Sequence, residues 1–235
     1  MARNLFGFAF AVLLLVPIFS LAQQGVAVID ASKVPLTGSK PADFVPAGWK
    51  LEAVIEGDLN GDAVPDYALK LVEDKPPSDD RGASDRQRAL VVLFGTKAGQ
   101  LSRAGVAGRL LQCTTCGGIL YGVLDAPVGV TIEKGILIVK QDHGSRDVTA
   151  QTFRFRYEPD TKRFALIGFD FTYEDRATGE TASESTNYLT GQRVVERTKE
   201  SRKSSSRKGV PKEKIYLEQV DSERFEEAAS ERLHL

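Results

Sequence analysis

The chain has 235 residues, of which 42% are hydrophobic and 27% are charged, a composition typical of folded globular proteins. Its 31 basic residues nearly balance its 32 acidic residues, so there is no global electrostatic case for specific nucleic acid binding. This length fits one large domain or two small ones, and an all-β fold of this size is often a single domain.

The first 22 residues follow the three-part plan of a secretory signal peptide. Arg3 gives a positive start, an apolar run covers residues 5–19, and Ser20 and Ala22 are small residues before a cut. The apolar run is short for a membrane span. We therefore expect cleavage near Ala22 and a periplasmic or secreted protein that meets the membrane only through its signal peptide. A retained membrane anchor is the alternative.

Residues 23–46 mix Pro, Ser, Lys and Asp without a sustained period, so we predict a loose N-terminal lead-in. The pattern changes at residue 47, where short β-type runs begin. "GWKLEAVIEG" and "DYALKLVE" alternate apolar and polar residues, as half-buried strands do. "RALVVLFG" is continuously apolar and is typical of a central buried strand.

Between the first two of these strands lies "EGDLNGDAVPD", in which side-chain oxygens recur at close spacing. Asp58, Asn60, Asp62 and Asp66 occupy positions 1, 3, 5 and 9 of a loop, and Val64 offers its backbone carbonyl at position 7. Calcium prefers six to eight oxygen donors held in such a turn. The pattern therefore predicts a structural Ca²⁺ site. An Asx-rich turn without an ion is the alternative, since Asp and Asn favour turns in any case.

The same loop departs from an EF-hand in two ways. Position 6 is Ala63 rather than glycine, and position 12 is Leu69 rather than the bidentate glutamate. Strand-like residues flank the loop where an EF-hand has helices. We therefore expect a link between two strands instead of a helical calcium sensor.

Two segments read as polar connectors. Residues 73–87, "EDKPPSDDRGASDRQ", carry the prolines and acids of a long loop. Residues 197–214, "RTKESRKSSSRKGVPKEK", form a basic, Ser-rich run that we interpret as a flexible surface connector. Contact with an anionic polymer or a membrane surface is the alternative for the basic run.

The only two cysteines, Cys113 and Cys116, stand in "LLQCTTCGG". Export places them in an oxidising compartment, where a disulfide is the default. Glycines and a poor helix former follow the pair, which disfavours the helix start of a redox motif. We predict a structural disulfide, with redox activity as the alternative.

The second half of the domain predicts β-hairpins, listed here by their quoted residues. They are "VGVTIEKGILIVKQD", turning at Lys134 and Gly135; "TAQTFRFRYEPDTKRFALIGFDFTYED", turning at "EPDTKR"; and "STNYLTGQRVVER", turning at Thr190 and Gly191. The aromatic residues of the second hairpin alternate with Arg154 and Arg156. We expect the aromatic face to be core, because exposed sugar-stacking platforms favour Trp and Tyr.

"EKIYLEQV" predicts a last strand, and "SERFEEAASERL" has helical spacing and helix formers. The fold class is therefore mainly β, an antiparallel sandwich or irregular barrel-like or propeller-like set of sheets with a short C-terminal helix. One domain spans residues 47–220 and a tail spans 221–235. Because the "GDLNGD" segment occurs once, an intact propeller of such repeats is disfavoured.

The loop resembles the aspartate-rich loop of FG-GAP and VCBS-type repeats, which are secreted or surface β modules. Gly57, Asp58, Asn60, Asp62 and Asp66 match their pattern, and Ala63 replaces the usual glycine. This resemblance implies calcium ligation by the four side chains of the match. The order of acidic loop, Cys-x-x-Cys-Gly-Gly segment and aromatic hairpin is also similar to uncharacterised exported bacterial proteins. That likeness implies an envelope protein and supplies no activity.

His143, in "KQDHGSRD", lies beside Asp142, Ser145 and Asp147, which are residue types of nucleophilic triads. Neighbours along one strand end rarely face one another, so we expect His143 to be a polar turn residue. The leading hypothesis is a calcium-binding, non-enzymatic structural or interaction module of the bacterial envelope. Another envelope protein or a polysaccharide would fit it as a partner. The alternative is a periplasmic thiol–disulfide or hydrolytic enzyme using Cys113 and Cys116 or His143.

Overall fold

The computed structural model describes residues 28–76, 85–118, 121 and 126–235. The predicted signal peptide lies outside this range, as do residues 77–84 of the predicted polar connector. Within the described residues, no helix is both long enough and apolar enough to span a bilayer.

Two antiparallel sheets make up the fold, which confirms the mainly β prediction. The first sheet has the strand order β1-β5-β4-β3-β2. Its strands are β1 (Thr37–Gly38), β2 (Trp49–Gly57), β3 (Asp66–Glu73), β4 (Arg88–Gly95) and β5 (Leu101–Ala107).

The second sheet runs β12-β11-β10-β9-β8-β7-β6, so each strand pairs with its neighbour in sequence. Its strands are β6 (Val128–Glu133), β7 (Ile136–Gly144), β8 (Asp147–Glu158), β9 (Arg163–Asp175), β10 (Glu180–Asn187), β11 (Gln192–Lys199) and β12 (Arg202–Gly209). One α-helix, α1 (Ser222–Leu233), confirms the predicted C-terminal helix.

A shared core lies between the two sheets. Ala68, Leu90 and Val92 of the first sheet pack in one cluster with the aromatic hairpin of the second. The buried aromatic side chains of that hairpin are Phe153, Phe155, Phe164, Phe169 and Phe171. The aromatic face is therefore core, as predicted, and burying each Phe contributes roughly 1.5–3 kcal/mol.

The N-terminal lead-in is ordered, so this prediction was wrong for residues 28–46. Ile29, Val34 and Phe44 are buried against the outer face of the first sheet, in a second core cluster with residues such as Leu69 and Val91. Short 3₁₀ turns, Ala31–Lys33 and Pro41–Phe44, set these side chains at irregular spacing. Because these side chains follow no regular period, the sequence did not indicate that they are buried.

The basic run is also ordered. Its first part belongs to β11, and β12 pairs with β11 from Lys199↔Arg202 to Gln192↔Gly209. Every residue of β12 is exposed, so the strand is held by its backbone ladder to β11. Without a buried face there is no apolar alternation, which is why the sequence indicated a connector.

"EKIYLEQV" does not form the predicted last strand. Tyr216 makes a single bridge to Ala165, and a 3₁₀ turn, Leu217–Gln219, follows. Leu217 and Val220 are both buried in the shared core. Their spacing of three suits a 3₁₀ turn, in which residues i and i+3 lie on one face.

Candidate functional site

The aspartate-rich loop connects β2 to β3 and lies where the two sheets meet. Leu59, inside the loop, is buried in the shared core. Gly57, at the end of β2, packs so closely on Ile132 of β6 that an added Cβ would lie 2.5 Å from that side chain. The first residues of the loop are therefore held against β6 and the shared core.

Three of the predicted ligand residues organise the backbone of the loop. Asp58 accepts hydrogen bonds from the Gly61 N–H (2.7 Å) and the Ala63 N–H (3.0 Å). Asn60 Oδ1 accepts from the Asp62 N–H (2.9 Å), and Asp62 Oδ1 accepts from the Val64 N–H (2.8 Å). The backbone N–H of Gly61 is the main cause that lowers the pKa of Asp58 below its ordinary value.

Position 6 of the loop adopts the conformation that favours glycine. Ala63 has a φ of 60°. A residue with a Cβ pays roughly 1–2 kcal/mol for this left-handed region. The chain thus bends in the left-handed region at Ala63 although this residue is not a glycine.

Asp66 is the buried member of the set, with 0% of its surface exposed. Its Oδ2 accepts from the Leu59 N–H (2.8 Å), and its Oδ1 accepts from the Gly95 N–H (3.0 Å) at the end of β4. Burial is the main cause that raises the pKa of Asp66, and the charges of Asp62 and Asp58 raise it further. A cation at the loop would remove that electrostatic cost.

The fold thus brings the predicted ligands into one loop. Across the described ranges, no three His, Cys, Asp or Glu side chains converge as a ready metal-holding group. An ionised carboxylate has about four lone-pair sites, so a carboxylate that accepts an N–H keeps capacity for an ion. The donor set fits a hard cation by its chemistry. Calcium ligation by Asp58, Asn60, Asp62, Asp66 and the Val64 carbonyl stays a prediction.

The predicted disulfide is present between Cys113 and Cys116. Its segment is anchored to the first sheet by Arg88, whose side chain is 2% exposed. The Arg88 guanidinium donates to the carbonyl oxygens of Gln112, Cys113 and Ala126 and makes a two-pronged pair with Glu52. No pattern in the sequence indicated this anchor.

His143 is not an isolated turn residue. Its Nε2 lies 2.8 Å from Glu226 Oε2 on α1, and Thr149 Oγ1 and Gln151 Nε2 also donate to the Glu226 carboxylate. The hydrogen bond from Glu226 is the main cause that raises the pKa of His143. Burial alone would raise the pKa of Glu226, but its hydrogen bonds, led by the one to His143, hold it below its ordinary value.

The triad residue types beside His143 do not assemble around it. Its carboxylate partner is Glu226, and Asp142 instead accepts from Tyr121 Oη at 2.5 Å. Among the described residues, Thr149 supplies the hydroxyl that contacts the imidazole, with its Oγ1 3.0 Å from Nε2. Thr149 Oγ1 donates to the Glu226 carboxylate instead of to the imidazole, so the hydroxyl–imidazole–carboxylate order of a triad is not formed.

A cavity of about 550 Å³ lies next to this cluster. It is bounded by α1, by the segment after β5 that carries the disulfide, and by the inner face of β7 and β8. The cavity is lined by Cys113, Cys116 and His143, so the fold brings together residues from two separate stretches of the sequence.

The strand register explains the polarity of the cavity. Inward positions of β7 and β8 are apolar where Leu137 pairs with Phe155 and Val139 with Phe153. The next inward pairs are Gln141 with Gln151 and His143 with Thr149. This change from apolar to polar at inward positions is the sequence signal that could have located the cavity.

Comparison of the chain with models of known protein families, with curated proteins and with solved structures found no match.

Proposed function

We propose that the protein is an exported, calcium-binding β module of the bacterial envelope, with a structural or interaction role. The observation that carries the proposal is the aspartate-rich loop, whose Asp66 carboxylate links the Leu59 N–H to the Gly95 N–H of β4. An ion held by Asp58, Asn60, Asp62 and Asp66 would tie β2, β3 and β4 together. The resemblance to FG-GAP and VCBS-type loops supports the same ligands.

Calcium in this role favours the folded state, because an ion that binds only the folded chain shifts the folding equilibrium toward it. The free energy of calcium binding would stabilise the folded chain, and we assign the ion no catalytic role. Asp58 and Asp62 lie in an exposed loop, where an ion from the medium can reach them.

Calorimetric titration of the mature chain with calcium chloride tests the proposal. We expect one calcium ion per chain, and at least roughly tenfold weaker binding in Asp62→Asn, equivalent to about 1.4 kcal/mol. Asn keeps the acceptor for the Val64 N–H, and it removes the charge together with the acceptor for Asn60 Nδ2. Asp160→Asn, in the exposed turn between β8 and β9, is the matched control and should bind as the wild type does. No heat of binding in the wild type would refute the calcium assignment.

The second candidate is a thiol–disulfide or hydrolytic enzyme, because Cys116 and His143 border one cavity. Thiol titration with and without reductant separates the candidates. A structural disulfide yields no free thiol without reductant. It also does not oxidise the thiols of a substrate peptide. Catalytic exchange with a reduced dithiol peptide, abolished in Cys116→Ser, would favour the enzyme.

A further inference from the structure

We infer that the cavity beside α1 is a binding site for a compact organic amine, a cation that carries several N–H donors. The volume of about 550 Å³ falls within the usual range of small-molecule sites, roughly 300–1,000 Å³. The inference concerns a different part of the molecule from the aspartate-rich loop and does not depend on calcium.

Two buried amide oxygens supply the first evidence. Gln112 and Gln151 line the cavity and are 8% and 4% exposed, and the Oε1 atom of each has no hydrogen-bond partner among the described residues. A buried acceptor without a partner costs about 1–3 kcal/mol. Protein atoms cover both oxygens in this structure, so a ligand donor would recover that cost once the cavity wall shifted to uncover them.

The orientation of both amides is fixed by what their nitrogen atoms contact. Gln112 Nε2 donates to the carbonyl oxygens of Pro127 (3.2 Å) and Asp142 (3.1 Å). Gln151 Nε2 donates to the Glu226 carboxylate at 2.6 Å. Turning either amide over would set an oxygen against an oxygen, so both sites remain acceptors.

A third glutamine holds the wall in place and offers nothing further. Gln141 Oε1 accepts from the Gln112 N–H, and Gln141 Nε2 donates to the Leu110 carbonyl. The glutamine atoms left without a partner are therefore both acceptors, the Oε1 atoms of Gln112 and Gln151. A ligand that satisfies them must be rich in donors.

The charges that line the cavity select the sign of the ligand. Asp221 pairs with Arg109 at 3.3 Å, and Glu226 pairs with His143 at 2.8 Å. Glu223 and Glu227 also line the cavity, one helical turn apart on α1, and neither forms an ion pair with another described residue. Two uncompensated carboxylates beside acceptor amides favour a cation over a neutral polyol and disfavour an anion.

The probe is 1,4-diaminobutane, with 1,4-butanediol as its neutral counterpart of equal length and glucose as a saccharide. Each is titrated into the mature wild-type chain by calorimetry, with calcium chloride in every buffer. We expect the diamine to bind, more weakly as salt is raised, and the diol and glucose not to bind.

The charge is tested with Glu223→Gln/Glu227→Gln, which keeps side-chain size and leaves the buried amides untouched. We expect roughly tenfold weaker diamine binding than in the wild type, and no change in Glu231→Gln, a surface control on the same helix outside the cavity lining. Asp62→Asn should also leave diamine binding unchanged, which separates this site from the loop.

Three results would overturn the inference: no diamine binding to the folded wild type, equal binding to Glu223→Gln/Glu227→Gln, or binding of the diol or glucose in its place. The first would mean that water alone satisfies the glutamines, and the last would assign the cavity to a polyol. Far-UV circular dichroism of each variant confirms that the chain being titrated is folded.

Discussion

Asp66 joins three parts of the chain with one short side chain. Its two oxygens accept from the N–H groups of Leu59 and Gly95, and its own backbone begins β3. The remaining aspartates of the loop act on the backbone within a few residues of themselves. At the scale of single residues, Asp66 therefore carries the connection between the loop and the sheet.

Asp66→Ala should destabilise the protein by about 2–4 kcal/mol even without calcium, because two buried N–H groups lose their acceptor. Urea unfolding in chelator measures the change. Asp160→Ala, at an exposed turn, should shift the free energy of unfolding by no more than about 0.5 kcal/mol. Equal effects of the two substitutions would contradict the assigned role of Asp66.

Arg88 is a second residue whose side chain connects several parts of the chain. Its buried guanidinium is paired with Glu52 and holds three carbonyl oxygens of the chain around the disulfide. We predict that Arg88→Met costs roughly 3–5 kcal/mol, since the three carbonyls lose a buried donor and Glu52 keeps only its longer contact with Lys70 Nζ, at 3.5 Å. Arg156→Met, on an exposed position of β8, is the control and should be nearly neutral in the same urea unfolding experiment.

At the scale of elements, α1 is docked on the second sheet by mixed contacts. Phe225 packs edge-on against Phe153 and Phe169 with centroid distances of 5.5 and 5.1 Å. Arg232 makes a two-pronged pair with Glu184 on β10, and Glu226 reaches His143, Thr149 and Gln151 on β7 and β8. The helix therefore covers the end of the sheet where inward residues are polar.

The docking of α1 should depend on pH. The raised pKa of His143 means that its stabilisation is complete below about pH 6.5 and is lost as the pH rises through the folded-state pKa. The lowered pKa of Glu226 gives a contribution that is present above its ordinary value near 4.5 and lost on acidification. Charges near His143 include Asp142, which also raises its pKa.

We therefore predict that the free energy of unfolding falls by up to about 1 kcal/mol between roughly pH 6 and pH 8.5, a small change because the pair is partly exposed. His143→Gln should remove this fall, while His234→Gln, changing the chain's other histidine, should keep it. Denaturant unfolding at both pH values measures the difference. A wild-type fall that persists in His143→Gln would assign the titration to another group.

The strand β12 is the opposite kind of element, because it buries no side chain. Ser205 on β12 and Ser183 on β10 both pair with Glu196 of β11, one from each side. Ser183→Pro breaks a strand paired on both edges and should cost about 3 kcal/mol or more, whereas Ser205→Pro lies on an edge and should cost at most about 1 kcal/mol. Comparable losses in urea unfolding would show that β12 is integral to the sheet.

Across the whole chain, the sequence predicted the strands that have a regular pattern of apolar and polar residues. The aromatic hairpin and β2 to β4 have strict period-two or continuously apolar patterns, and they form strands within a few residues of the predicted bounds. β5 carries Gly105 and few large apolar residues, so no pattern marked it. The ordered lead-in escaped notice for the related reason that Ile29, Val34 and Phe44 follow no period.

The two candidate sites differ in how much of each could be predicted from the sequence. The aspartate-rich loop is local, so its residues are close in sequence and in space. The cavity is assembled from Gln112, Gln151 and Glu226, which belong to separate elements. Only the pairing of β7 with β8 and the docking of α1 bring them together, and those depend on tertiary packing that no short window of sequence contains.

We propose that calcium at the β2–β3 loop stabilises the whole fold, because that loop joins strands of the first sheet and buries Leu59 in the core shared by both sheets. The most direct measurement is the melting temperature of the wild type and of Asp62→Asn, each in calcium and in chelator. We expect calcium to raise the wild-type midpoint and to raise that of Asp62→Asn by less. Identical wild-type midpoints in calcium and in chelator would contradict it.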